Sequence, residues 1–282
     1  MKRAGRATGA IKILCRLFRA PLALMNGVAA LGGYLLFPAR AEAPSLGAVF
    51  IGVSLLAAAG SALNQVLERD LDALMLRTRN RPIPGKELTA TSAILLGAAP
   101  LLAGVAILAA FGGVIPALLG GGTLSWYLAV YTPLKRRTPL ALLLGALCGA
   151  AAPLIGWSVA GGSLADFRVV LLAGILFLWQ VPHFWLLQRR HAEDYRRAGF
   201  PLFAPAGGGS GPAPLCRLWM AAMIAGALML PAFGIIGRNA PLWCLAFCAP
   251  LLITPFKRFE RALFTGLNLF PLLVTLALYA GR

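Results

Sequence analysis

Charged residues are so sparse along the chain that they leave eight long uncharged stretches: 20–39, 43–67, 88–134, 138–165, 169–188, 218–237, 239–256 and 262–281. A helix crosses about 30 Å of hydrocarbon with about 20 residues. Each stretch therefore predicts a span, and 88–134 predicts two, turning near Phe111-Gly112-Gly113 and Pro116. The expected fold is all-α: a polytopic membrane bundle of nine transmembrane helices forming one domain over 1–282. Outside the spans lie a basic segment, 1–19, and loops, of which 67–90 and 189–217 are the long ones.

Composition supports the bilayer as solvent. The chain is 59% hydrophobic and 12% charged, with a mean hydropathy of +0.79, whereas soluble domains average roughly 45–50% apolar and about 25% charged residues. A net charge of +17 would suit nucleic acid, but so little polar surface remains that no nucleic-acid partner is expected. The charge instead fixes orientation, because short cytoplasmic loops carry the Lys/Arg excess. With the N-terminus inside, 22 of the 26 basic residues are cytoplasmic, and only Arg40, Arg168, Arg238 and Arg282 are outside. A secretory signal ending near Ala39-Arg40-Ala41 would need a shorter apolar region and would invert this parity. The five cysteines form no CxxC and no ligand cluster, so they read as reduced or lipid-buried thiols, with Cys244 and Cys248 packing on one helix face.

Six of the nine acids fall in the two long cytoplasmic loops. If the second span continues as a helix, Asn64, Glu68 and Asp72 share one face over about 12 Å of axis. Like charges four residues apart repel, and a divalent cation offsets that cost; hard oxygens of this kind suit Mg²⁺, which binds one or two carboxylates plus substrate phosphates. A solvated helix end, with its acids paired to Arg69, Arg77 and Arg79, is the alternative. Arg77, Arg79 and Arg81 follow closely, and guanidinium forks match phosphate geometry. Tyr131 and Lys135 stand four apart at the end of the fourth span, in Tyr131-Thr-Pro-Leu-Lys135-Arg136-Arg137-Thr138-Pro139. In Trp179-Gln-Val-Pro182-His183-Phe184-Trp185, the proline is expected to bend the sixth span and free backbone groups, turning His183 toward a cavity; a hydrogen-bonded structural histidine is the alternative. The string His191-Ala-Glu193-Asp194-Tyr195 follows in the second long loop.

Together these strings resemble the UbiA superfamily of intramembrane prenyltransferases, and within it the branch that farnesylates heme. Asn64-x3-Glu68-x3-Asp72 looks like the first Asn/Asp-rich motif with Glu in the middle. Met75, Arg77-Thr78, Asn80-Arg81-Pro82, Tyr131-Thr132, Leu134 to Pro139, Pro153 to Trp157 and Pro182 to Trp185 look like the branch signature. The resemblance implies a bundle around a cavity open to lipid, with active-site loops 67–90, 131–139 and 189–217 at the cytoplasmic face of the bacterial inner membrane. It implies Mg²⁺-dependent transfer of farnesyl from farnesyl diphosphate to the vinyl group of heme b, giving heme O and diphosphate, with a heme A synthase or terminal oxidase assembly as recipient. It further implies Asn64, Glu68, Asp72, Lys135 and Asp194 as catalytic residues. Asn64, Glu68, Asp72 and Asp194 would be the metal ligands, and Arg77, Arg81, Tyr131, Arg136, His183 and Tyr195 would contact substrate. The chain departs from the family where Arg190 replaces an acid four residues before Asp194, and where Leu140-Ala141 follows the Thr-Pro pair.

A quinone precursor or chlorophyllide acceptor is the alternative within the same chemistry, and the 131–157 and 182–185 strings argue against it. A secondary transporter would place charged groups near the midplane, whereas every span centre here is uncharged. The orientation has a direct test. Cysteines introduced near Arg79 and Arg196, in a background without the native ones, should be shielded from an impermeant thiol reagent applied to intact cells. One introduced near Asp166 should be labelled, and labelling near Arg79 would reverse the topology.

Overall fold

The computed structural model describes residues 2–38, 42–202, 214–237, 241–243, 245 and 259–281. Within them the chain is helical and contains no strand. The helices are α1 (Lys2–Leu17), α2 (Ala20–Leu36), α3 (Ala43–Leu67), α4 (Arg69–Leu74), α5 (Ala90–Gly112), α6 (Val114–Trp126), α7 (Thr132–Leu134), α8 (Ala141–Val159), α9 (Phe167–Arg190), α10 (Ala192–Arg197), α11 (Pro214–Ala232) and α12 (Phe259–Ala280). A π-helical turn, Tyr127–Tyr131, joins α6 to α7.

Among the described residues seven helices, counting α6 through α7 as one, are long and apolar enough to span a bilayer, and Gly9–Leu17 with α2, bent by 53°, makes an eighth when the pair is counted as one span. They match the uncharged stretches one for one, except that 239–256, expected as the eighth of nine spans, lies almost wholly outside the described residues. The stretch 88–134 does divide in two. Its break is at Gly113, whose φ of 79° suits a residue without a side chain, and Pro116 follows in the first turn of α6. At Pro182, where the sequence predicts a bend, a single helix runs through the proline from Phe167 to Arg190; the hydrogen bond from position 182 to the carbonyl four residues earlier is missing there.

Packing in a bilayer lacks the hydrophobic drive between helices that operates in water, so close approach depends on small residues. The α2–α8 contact shows this at atomic scale. A Cβ on Gly33 would lie 1.9 Å from the Pro153 carbonyl oxygen, and one on Gly156 would lie 1.8 Å from that of Ala30. Between α3 and α5, a Cβ on Gly104 would come within 2.8 Å of the Gly52 oxygen. Helix α3 is thereby enclosed, with Val49, Val53, Leu56 and Ala59 in the main core. Helices α5 and α6 turn large aliphatic side chains outward, Leu95, Leu102, Val114 and Leu118 among them, which is the composition of a lipid-facing surface.

Gly156→Val should force α2 and α8 apart and cost about 1–3 kcal/mol, the usual penalty of overpacking, seen as a lowered unfolding temperature in detergent. Gly121→Ala, where an added Cβ meets nothing within 4 Å, should leave it unchanged.

Candidate active site

The polar end of the bundle encloses a cavity of ≈ 290 Å³. Its walls come from α3 between Val53 and its C-terminal end, α4 and the loop after it, the π turn and Lys135, the inward faces of α6 and α8, the later turns of α9, and Arg19 with the first turns of α2. Helix α3 ends at Glu68, whose backbone (φ −111°, ψ 12°) departs from helical geometry before α4 begins. The span therefore kinks rather than continuing as one helix. The i→i+4 bonding nevertheless persists, from Glu68 N to Asn64 O (2.9 Å) and from Asp72 N to Glu68 O (2.8 Å). Because that phase survives, Asn64, Glu68 and Asp72 still face one cavity.

Both carboxylates are buried, Glu68 at 4% and Asp72 at 1% exposure. Buried charge is stable only when paired and hydrogen-bonded, and each has a cation. Lys135 Nζ reaches Glu68 Oε2 at 2.6 Å, and the Asn64 amide donates to the same oxygen at 2.9 Å. Arg81 Nη1 donates to both oxygens of Asp72, at 2.7 and 2.9 Å. The Thr132 hydroxyl donates to Asn64 Oδ1 (2.9 Å), which fixes how the amide is turned. Glu68 Oε1 is buried without a hydrogen-bond partner among the described residues. Burial pushes the Asp72 carboxyl up from its ordinary range, against the pull of Arg81. It likewise pushes the Lys135 ammonium down, against the pull of Glu68.

An aromatic layer stands beside these charges. The π turn stacks Tyr127 on Tyr131, with ring centroids 5.6 Å apart, and Lys135 Nζ lies 5.4 Å from the Tyr131 ring and 6.0 Å from that of Phe200. On the α9 wall, His183 is held between Trp179 (5.1 Å) and Phe264 (5.4 Å). Its Nδ1 is buried without a hydrogen-bond partner among the described residues, as is Gln188 Oε1 on the same helix.

Of the residues singled out from sequence, Asn64, Glu68, Asp72, Arg77, Arg81, Tyr131, Lys135, His183 and Tyr195 all line the cavity. Asp194 and Arg136 do not. Asp194 accepts hydrogen bonds from the backbone amides of Leu76 (2.9 Å) and Arg77 (3.0 Å), pinning the loop after α4 to α10. Burial alone would raise its carboxyl, but the two amides together with the neighbouring His191 and Arg77 hold it below its ordinary range. Arg136 donates to the Leu67 carbonyl (2.7 Å) and closes the end of α3 from the exposed side. The four-ligand set expected from sequence is thus not assembled, and no three acids, histidines or cysteines converge among the described residues. What the cavity offers is two carboxylates, Glu68 and Asp72, beside an amide. Residues missed by the sequence reading are Arg19, Tyr127, Thr132 and Gln188, all on the cavity wall except Thr132, which lies behind Asn64.

Comparison with known proteins agrees with this architecture. The UbiA prenyltransferase family matches residues 25–263. The protoheme IX farnesyltransferase of Geobacter sulfurreducens is 56% identical over 264 residues, 93% of this chain and 96% of that protein. The protoheme IX farnesyltransferase of Oleidesulfovibrio alaskensis is 42% identical over 229 residues, 79% of each. Among solved structures, an apo UbiA homologue from Aeropyrum pernix K1 superposes with a TM-score of 0.72 at 23% identity, covering 92% of this chain and 96% of that one. A UbiA homologue from Archaeoglobus fulgidus bound to GPP and Mg²⁺ gives 0.65 at 16% identity, covering 95% and 99%. These two share the fold, and the sequence match carries the relationship: the chain is a multi-pass membrane enzyme of the UbiA prenyltransferase family.

Proposed function

We propose that this prenyltransferase moves a farnesyl group from farnesyl diphosphate to a vinyl side chain of heme b, releasing diphosphate and giving heme O, at the cytoplasmic face of the bacterial inner membrane. The observation that carries the reading is the juxtaposition of two buried carboxylates and their cations with an aromatic, largely apolar cavity. Identity to proteins named protoheme IX farnesyltransferase supports the choice of donor and acceptor.

The two carboxylates fit a Mg²⁺ ion of the kind that takes one or two carboxylates and completes its shell with substrate phosphates and water. Glu68, with its unpartnered Oε1, and Asp72 would hold it. Bound there, the ion would neutralise charge on the leaving diphosphate. Arg77, Arg81 and Lys135 supply preorganised positive charge where that leaving group develops. As the allylic C–O bond breaks, its electron pair leaves with diphosphate. The Tyr127 and Tyr131 faces stabilise the cationic fragment, and the enclosed walls keep water from it. The terminal vinyl carbon of heme then bonds to the farnesyl C1. Water captures the resulting cation next to the ring and loses a proton, leaving a hydroxyethylfarnesyl group. His183, packed between aromatic rings with a free Nδ1, is the acceptor-side contact on the α9 wall. The product would pass to a heme A synthase or a terminal oxidase.

Cells expressing the protein should accumulate a farnesylhydroxyethyl heme, identified by mass spectrometry of extracted hemes; a prenylated quinone precursor or chlorophyllide instead would replace the acceptor in this reading. Asp72→Ala should lower turnover by at least about 10²-fold without loss of helix content. Asp70→Ala, at an exposed position, should change it little; equal turnover in the two variants would refute the carboxylate site. His183→Ala should weaken heme binding and spare farnesyl diphosphate. Lys135→Ala should do the reverse, and joint loss of both affinities in each variant would mark these residues as structural.

A further inference from the structure

Among the described residues four cationic side chains line the cavity, and two of them have carboxylate partners, Arg81 on Asp72 and Lys135 on Glu68. Arg19 and Arg77 share the wall without an ion pair or side-chain hydrogen bond among those residues. Arg77 belongs to the arginine cluster after α4. Arg19 closes the basic N-terminal segment, where topology alone would account for its charge.

Its backbone is not accounted for in that way. Arg19 has φ 47° and ψ 55°, the left-handed region that an L side chain enters only against a steric cost and that persists when the surroundings enforce it. The enforcing contacts are present. Gln65, fully buried on α3 and next in the chain to Asn64, donates from Nε2 to the carbonyls of Arg16 (3.1 Å) and Leu17 (2.7 Å). These are among the last carbonyls of α1, which have no amide partners within the helix. The Arg16 guanidinium donates to the Asn80 carbonyl (2.9 Å) and pairs with Glu87. The α1–α2 break is thereby tied to α3 and to the loop carrying Arg77 and Arg81. Side by side with Leu22 and Asn26 of α2, Arg19 lines the cavity, within electrostatic reach of Arg77, Arg81 and Asp72. Held beside two other guanidiniums, a cation without its own counter-ion raises the energy of the empty site. A polyanion lying between them removes that cost.

We propose that Arg19 is a diphosphate-binding residue, reaching the leaving group from the α2 side, and that Gln65 is the positioning residue that holds it there by clamping the α1–α2 break. The proposal rests on the prenyl diphosphate reading above and adds to it a fourth cation and the device that aims it.

Titration of the full-length protein in detergent with inorganic diphosphate and Mg²⁺ tests this without an acceptor. Arg19→Gln should weaken binding roughly ten- to hundredfold, the usual scale for a charge-assisted contact, and raise KM for farnesyl diphosphate while leaving KM for heme unchanged. Arg19→Lys should recover part of the loss. Gln65→Met should shift binding in the same direction by a smaller factor, and should add nothing in an Arg19→Gln background, since the two residues act as one unit. Wild-type diphosphate affinity in Arg19→Gln overturns the inference, as does full additivity of the pair. If Arg19→Gln fails to fold, Arg19→Lys at the wild-type unfolding temperature decides: reduced affinity supports the assignment and unchanged affinity overturns it. Failure of the wild-type protein to bind diphosphate would instead overturn the prenyl diphosphate reading.

Discussion

Two carboxylates taken out of water dictate the arrangement of the polar end. Removing a charge from solvent costs several kcal/mol, and only a well-placed partner with further hydrogen bonds repays it. Glu68 and Asp72 sit at consecutive turns beyond the end of α3, and their partners come from elsewhere in the chain: Lys135 from the end of α7, and Arg81 from the loop after α4. Each pair is therefore also a tether. Glu68–Lys135 joins the α3 and α7 ends, and Asp72–Arg81 folds the loop back over the cavity. The groups proposed to handle diphosphate are thus held in place by the contacts that make their burial tolerable.

Three of the charges that reach the cavity do so next to a departure from regular α-helix. Glu68 sits at the α3–α4 kink, Arg19 at a left-handed residue between α1 and α2, and Lys135 just past the π turn and the short α7. A straight membrane helix hides its backbone polar groups and offers none to a ligand or partner. At a break some of those groups become available, and here they are used: the α1 carbonyls by Gln65, the Leu67 carbonyl by Arg136, and the Leu76 and Arg77 amides by Asp194. Asp194 therefore influences the site without entering the cavity, by fixing the backbone from which Arg77 extends.

The spans were legible because in lipid the pattern of charge is nearly the pattern of structure, and the turn at Gly113 was legible because glycine and proline mark it. Asn64, Glu68 and Asp72 were legible from spacing, since the four-residue repeat survives the kink. Asp194 looked like a metal ligand because an acid in a motif declares its charge and not its partner; backbone amides carry no side-chain signature by which that partner could be read. Arg136 was misplaced for a related reason, its acceptor being the carbonyl of Leu67. Thr132 was hidden inside the Tyr131 string, its hydroxyl aimed at Asn64 and not at the cavity.

Arg19 shows where a sequence reading of such a protein runs short of information. With the N-terminus inside, twenty-two basic residues would satisfy the inside rule, and among the described residues four of them, Arg19, Arg77, Arg81 and Lys135, line the cavity. Orientation and substrate binding draw on the same residue types in the same loops, so counting charges cannot separate them. The acids divide more clearly, because a carboxylate near a basic membrane face has no topological role to explain it away, and its burial must be compensated. In a strongly basic membrane protein the scarce charge locates the site, and the abundant charge is sorted only by the backbone geometry that aims it.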